Sequence, residues 1–172
     1  MSAHLVSRDR SDVAYPVHND LPESARGPLI ALLDARLADA VDLQTQMKQA
    51  HWNVKGPSFI SLHELFDKIN EDTEEYVDTI AERAVTLGGV AHGTAREVAS
   101  RSTLPAYPAA KDGRQHVQAV ATALAAFGKP VRAAIDEAGK LGDMDTADLF
   151  TEISRGVDKW LWQVEAHLQA ER

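Results

Sequence analysis

Four stretches of this chain repeat their apolar residues at steps of three and four, and that period is the strongest constraint on what the chain can become. It is the period of an α-helix with one buried face. The first stretch runs from about Glu23 to Asn53, with Leu29, Ile30, Leu33, Leu37 and Val41 on its stripe, and Val54-Lys55-Gly56-Pro57-Ser58 breaks it. Ser58 then reads as a cap for a second stretch, from Phe59 to about Leu87, which Gly88-Gly89 stops. A third stretch runs from near Arg114 to Leu141, where Gly142-Asp143 ends it. Gly128 and Pro130 fall inside it and predict a kink or a weakened segment. The fourth, from about Thr146 to Ala170, carries Leu149, Ile153, Val157, Trp160, Leu161, Val164 and Leu168. The longest connection, about 25 residues between the second and third stretches, holds Pro105 and Pro108 and has room for a short helix at Ala95 to Ala99.

Four long helices with one long crossover make an all-α, ferritin-like four-helix bundle. Residues 22–172 would form that bundle, and residues 1–21, which hold Pro16 and no sustained period, would form a flexible tail. A chain of 172 residues is long enough for one buried core and too short for two. No run approaches the roughly 18 apolar residues of a membrane helix, and the N-terminal residues do not resemble a secretory signal, so a cytoplasmic protein is expected, with the bacterial nucleoid as one location. The absence of cysteine excludes disulfides, thiolate metal sites and thiol catalysis. Any metal must be held by His, Asp and Glu. The net charge of −8 argues against a general nucleic-acid binder, because neutralising phosphates needs Lys and Arg in surplus.

On the second helix, at about 100° per residue, Leu62, Phe66, Ile69, Thr73, Tyr76, Ile80 and Leu87 fall on one core-facing stripe. His63, Asp67, Asp78 and Glu82 form a contiguous arc pointing largely away from it. His63 and Asp67 are four residues apart, as are Asp78 and Glu82, so each pair can approach one cation from a single face. Asp67 and Asp78, however, are separated by about 16 Å of helix rise and cannot share an ion within one chain. An antiparallel second copy of this helix resolves the difficulty. The residue numbers of His63 with Glu82 and of Asp67 with Asp78 share one total, 145, so a single two-fold register opposes both pairs and creates two identical sites. His51, near the end of the first helix, folds back beside the start of the second and can join His63 and Asp67. Two imidazoles and three carboxylates suit a first-row divalent ion such as iron, with zinc and manganese as substitutes. Singly, each of these residues is a routine solvated side chain; the joint pattern carries the argument.

The segment Lys48-Gln49-Ala50-His51-Trp52-Asn53-Val54-Lys55-Gly56, with Phe59, His63-Glu64, Asp67, Asp78-Thr79-Ile80-Ala81-Glu82-Arg83 and Leu87-Gly88-Gly89, resembles the Dps family. These are the miniferritins, named as DNA-binding proteins from starved cells. The resemblance spans nearly the whole chain, including Ser102 to Pro108, Asp158-Lys159 and Leu161-Trp162. It implies a hollow dodecamer of four-helix bundles with ferroxidase centres at two-fold interfaces. His51, His63 and Asp67 of one subunit would bind iron with Asp78 and Glu82 of the next. Fe²⁺ would be oxidised there, preferably by hydrogen peroxide, and Fe³⁺ stored as mineral, two irons per centre. Trp52, beside His51, would intercept stray oxidising equivalents or serve as an interface aromatic. Ordinary ferritins carry Glu-x-x-His on bundle-facing helices, and that motif does not occur here.

Two features depart from the family pattern or extend it. A Lys-rich terminal tail usually accounts for DNA binding in the family, yet residues 1–22 carry only Arg8 and Arg10 against Asp9, Asp12 and Asp20, so weak or absent DNA binding is expected. Asp143, Asp145 and Asp148 cluster at the start of the last helix, where carboxylates act as caps and dipole partners; the resemblance implies a second role, lining an acidic pore that admits Fe²⁺. Three readings follow: an iron-storing ferroxidase, a nucleoid-compacting DNA binder with secondary iron chemistry, and a non-redox metal-binding bundle.

Overall fold

The computed structural model describes residues 13–169. Five helices follow one another: α1 (Glu23–Asn53), α2 (Phe59–Thr86), the short α3 (Ala95–Arg101), α4 (Gly113–Lys140) and α5 (Met144–Gln169). No strand occurs among the described residues. The chain pairs α1 with α2 and α4 with α5 as two helical hairpins, and α1 against α4 closes the bundle. Leu29, Leu33, Leu37, Leu43 and Met47 of α1 meet Phe66, Ile69 and Ile80 of α2 and Phe127, Val131, Phe150 and Val157 of the other hairpin, all at most 1% exposed. That apolar interior stabilises the bundle by removing its side chains from water. No helix among the described residues is long and apolar enough to cross a membrane.

α1 is buried more widely than its apolar stripe predicts, because the crossover lies along its outer side. Asp34 and Asp39, 1% and 0% exposed, are carboxylates in the middle of this helix. Asp34 accepts the His92 amide at 3.0 Å and is paired with Arg101. Asp39 accepts the Thr103 amide and hydroxyl at 2.7 and 3.0 Å. Farther on, Asp42 accepts from the Ser102 hydroxyl at 2.5 Å, and Gln46 donates to the Pro105 carbonyl at 3.0 Å. Burying carboxylates is costly unless they find partners; the crossover supplies donors to Asp34 and to one oxygen of Asp39 while satisfying its own amides, and the other Asp39 oxygen is paired with Arg36 of α1 at 2.8 Å.

Several expectations about element ends need correction. Ser58 occupies the N-cap position of α2, but its side chain makes no capping bond; its carbonyl instead accepts from the Leu62 amide and the Ser61 hydroxyl. Gly128 and Pro130 do not interrupt α4, which stays helical from Gly113 to Lys140. The carbonyl that Pro130 leaves unbonded belongs to Ala126, on a partly exposed face where water can take the place of the missing donor. Gly128 lies against α5, where an added Cβ would stand 3.2 Å from Val157. The short crossover helix extends to Arg101, beyond the expected Ala99. Residues 13–22 are extended but not free. Val13 and Leu21 pack on the core, and the Tyr15 amide donates to the Gly88 carbonyl at 3.0 Å. The rest of the expected tail, residues 1–12, and the end of the last expected helix at Ala170 lie outside the described residues.

Gly88 is required at this joint. Its φ of +90° is a backbone state that L side chains rarely adopt, and a Cβ there would stand 2.5 Å from the Tyr15 carbonyl oxygen. Arg26, 9% exposed, closes the same corner by donating to the Leu21 and Leu87 carbonyls at 3.1 Å each.

Candidate metal centre

The turn at residues 54–58 brings the last turn of α1 beside the first turns of α2. His51 and His63 meet across that junction with rings stacked at 3.7 Å and 22° apart. Each ring is tied to the other residue's backbone: His51 Nδ1 to the His63 carbonyl and His63 Nδ1 to the His51 carbonyl, both at 2.9 Å. A carbonyl accepts only, so both Nδ1 atoms donate and each Nε2 is the nitrogen left for a metal. The backbone thereby orients both rings. Phe59 covers the His63 ring at 5.1 Å.

Asp67 lies one turn beyond His63, with one oxygen 3.7 Å from His51 Nδ1. The Lys48 ammonium binds that same oxygen and is the main cause holding the Asp67 carboxyl below the usual carboxylate range, with partial burial acting against it. Lys48 stands three residues before His51 on α1, on the same helix face. That spacing is the signal by which it was open to discovery, and the sequence reading assigned it no role.

Asp78 and Glu82 are exposed and lie about 16 Å of rise or more along α2 from Asp67. The structure therefore brings His51, His63 and Asp67 together and leaves Asp78 and Glu82 apart. Among the described residues, no three His, Asp or Glu side chains of one chain gather as a metal site. Trp52 is 68% exposed and lines an outer groove with Asp42, Gln49 and Tyr107.

Of the acidic cluster at the start of α5, Asp143, the residue just before the helix, is a cap and not an open ligand, a correction to the pore expectation. It is 2% exposed. Both oxygens accept from the Arg83 guanidinium at 2.8 and 2.9 Å, one also from the Thr146 amide at 3.1 Å and the other from the Thr146 hydroxyl. Burial pushes its carboxyl up, but the Thr146 and Arg83 donors outweigh this and hold it below the usual range. Asp145 and Asp148 remain exposed.

The model of the ferritin-like domain matches residues 30–172. The chain is 44% identical to the DNA protection during starvation protein of Agrobacterium fabrum, over 90% of this chain and 96% of that protein. This chain belongs to the Dps family of ferritin-like proteins. A Dps structure from Streptomyces coelicolor superposes with a TM-score of 0.85 at 34% identity, covering 91% of this chain and 93% of the other. The Vibrio cholerae Dps structure, titled as a member of a superfamily of ferritin-like diiron-carboxylate proteins, matches in fold at a TM-score of 0.84 and 24% identity, over 91% and 98% of the two chains. The Dps assignment accounts for the architecture, the all-α bundle with its helical crossover.

Proposed function

We propose that this Dps protein is a ferroxidase whose centre is completed by two copies of the chain. The observation that carries the reading is the reciprocal locking of His51 and His63, which ties both Nδ1 atoms to backbone carbonyls and leaves each Nε2 for a metal, with Asp67 alongside the His51 ring, 3.7 Å from its Nδ1. A mixed set of neutral nitrogens and carboxylates fits Fe²⁺, and the diiron-carboxylate description of the Vibrio cholerae relative supports iron. Asp78 and Glu82 come from the second copy through the antiparallel α2 register.

That register has support independent of the ligands. Ile60 and Val85, at opposite ends of α2, are 61% and 53% exposed, and their numbers share the same total as the two ligand pairs. The pairing that completes the metal centre also covers both apolar side chains, at both ends of a two-fold interface. Assembly of such dimers into a dodecamer follows the family pattern.

Iron is substrate here. Two Fe²⁺ ions held at one centre each give one electron to hydrogen peroxide, which takes two protons and leaves as two waters, so no hydroxyl radical is released. Fe³⁺ then passes to storage, with Asp145 and Asp148 as the remaining carboxylates of an entry route. The protection named in the Agrobacterium relative would come from removal of iron and peroxide. Binding to DNA stays weak because residues 1–22 are net acidic, and a cytoplasmic setting suits the chemistry. Zinc and manganese would compete for the same donors.

The test is anaerobic Fe²⁺ loading followed by a peroxide pulse. The wild type should consume about one peroxide per two irons, as paired two-electron chemistry requires. The His51→Ala/His63→Ala variant should be slow while still assembled. If neither outpaces free iron, the ferroxidase reading fails. Gel shifts at several salt concentrations test the DNA reading, and retardation that survives moderate salt would overturn the expected weak binding.

A further inference from the structure

Tyr107 and His116 lie outside the metal centre, and nothing in the chemistry above uses them. The Tyr107 hydroxyl, in the crossover, stands 2.6 Å from Nδ1 of His116 near the start of α4. His116 is 1% exposed, and its Nε2 is buried without a hydrogen bond. An imidazole kept inside with one nitrogen committed to a phenol and the other unpaired is costly. Burial holds the ionisation of this ring below the usual histidine range and outweighs the opposing influence of the Asn53 backbone. With the single proton on Nε2, Nδ1 is the acceptor and the Tyr107 hydroxyl the donor.

Two further properties suit this pair to electron donation. Burial pushes the Tyr107 phenol up to about 12, so it remains a whole phenol at neutral pH. The buried imidazole remains neutral and able to accept. A phenol gives up an electron readily when its proton can leave in the same step, because the oxidised phenol is a very strong acid, and His116 stands at hydrogen-bond distance to receive that proton. Tyr107 also shares one groove of about 350 Å³ with Trp52, the exposed indole that follows His51. Asn53, next in the chain, leads back to His116. A solvent-facing indole, a phenol and a buried base thus stand in series beside the metal ligand.

We propose that Tyr107 and His116 form a proton-coupled one-electron donor that restores oxidised Trp52. An oxygen-centred radical such as hydroxyl takes one electron and one proton from the Trp52 indole and leaves as water. Tyr107 then gives the indolyl radical one electron. Its phenolic proton passes to His116 Nδ1, and the indole nitrogen regains a proton from solvent. The products are an intact indole, a phenoxyl on Tyr107 and a protonated His116 that later releases its proton. Only the source of the radical rests on the ferroxidase reading: a centre holding a single Fe²⁺ gives peroxide one electron instead of two, which yields hydroxide and a hydroxyl radical.

The experiment therefore omits iron. In the metal-free full chain, azide radical from pulse radiolysis oxidises the indoles, and the decay of the indolyl absorbance is followed against the rise of the phenoxyl absorbance. The wild type should show matched decay and rise, slowed in D₂O. Tyr107→Phe should lose the phenoxyl rise although Tyr15 and Tyr76 remain, and Trp52→Phe should lose it although Trp160 and Trp162 remain. His116→Gln should slow the rise and remove its dependence on D₂O. An undiminished phenoxyl rise in Tyr107→Phe overturns the proposal, as does an unchanged rate in His116→Gln. Should His116→Gln fail to fold by circular dichroism, the wild type decides: a rise with no D₂O effect overturns the role of His116. Success here with slow iron oxidation in the peroxide assay would retain this pair and remove the ferroxidase reading.

Discussion

Lys48 occupies the Asp67 oxygen that a metal ion would use. Its ammonium competes with a cation both for the oxygen and through charge repulsion, so Lys48→Met should tighten binding of a redox-inert probe such as Co²⁺, with Kd falling several-fold by calorimetry. Weakened binding would make Lys48 a support for the ligand and not a competitor. Asp143 makes a different prediction. Its folded-state carboxyl is held below its unfolded value, so its stabilisation is complete above a pH of about 3.8 and is lost as pH falls through the lower folded value. Asp143→Asn removes the charge that accepts the Arg83 and Thr146 hydrogen bonds and should cost about 2 to 3 kcal/mol at neutral pH. The acid limb of its stability curve should also be flatter, read by urea denaturation across pH. The five proposed ligand positions could be read from the sequence because helical spacing and a two-fold register relate them by arithmetic. The Nδ1-to-carbonyl bonds and the Tyr107–His116 pair could not, since each joins residues through tertiary geometry that no local spacing encodes; Lys48 is signalled only by its helical spacing from His51.

At the level of elements, Gly and Pro mark the ends of α1 and α2 because they act on the backbone itself, although Pro28 and Pro130 lie inside helices. The ends of α1 and α2 fall where Pro22, Gly56-Pro57 and Gly88-Gly89 place them. Pro130 shows the limit of that reasoning: a lost bond on a partly exposed face of a long helix is tolerated when the flanking turns are packed on both sides. The buried carboxylates Asp34 and Asp39 were beyond it too, since a charged residue on a helix reads as solvent-facing until the segment that covers it is known. Gly88→Ala tests the joint between the extended N-terminal segment and α2. Positive φ and a Cβ within 2.5 Å of the Tyr15 carbonyl should together cost about 1 to 3 kcal/mol, seen as a lowered Tm. Gly139→Ala, where a Cβ meets nothing within 4 Å, is the control and should be neutral or slightly stabilising.

For the molecule as a whole, the decisive quantity is whether two copies pair along α2. Ile60 contacts no ligand, yet the register sets it opposite Val85 of the second copy. Ile60→Asp should therefore lower both the assembled fraction by native mass spectrometry and the iron oxidation rate, in parallel. His51→Ala/His63→Ala should lower the rate alone. Loss of rate without loss of assembly in Ile60→Asp would exclude this register.

The crossed bonds between His51 and His63 also bear on how such a chain can change over generations. Because each ring is steadied by the other residue's carbonyl, neither helix end can shift or rotate without misdirecting both rings. Drift in the 54–58 turn is therefore felt by both proposed ligands at once. The turn should tolerate substitution only in combinations that keep both crossings, so a stretch with no chemistry of its own is held to the pace of the residues that have it.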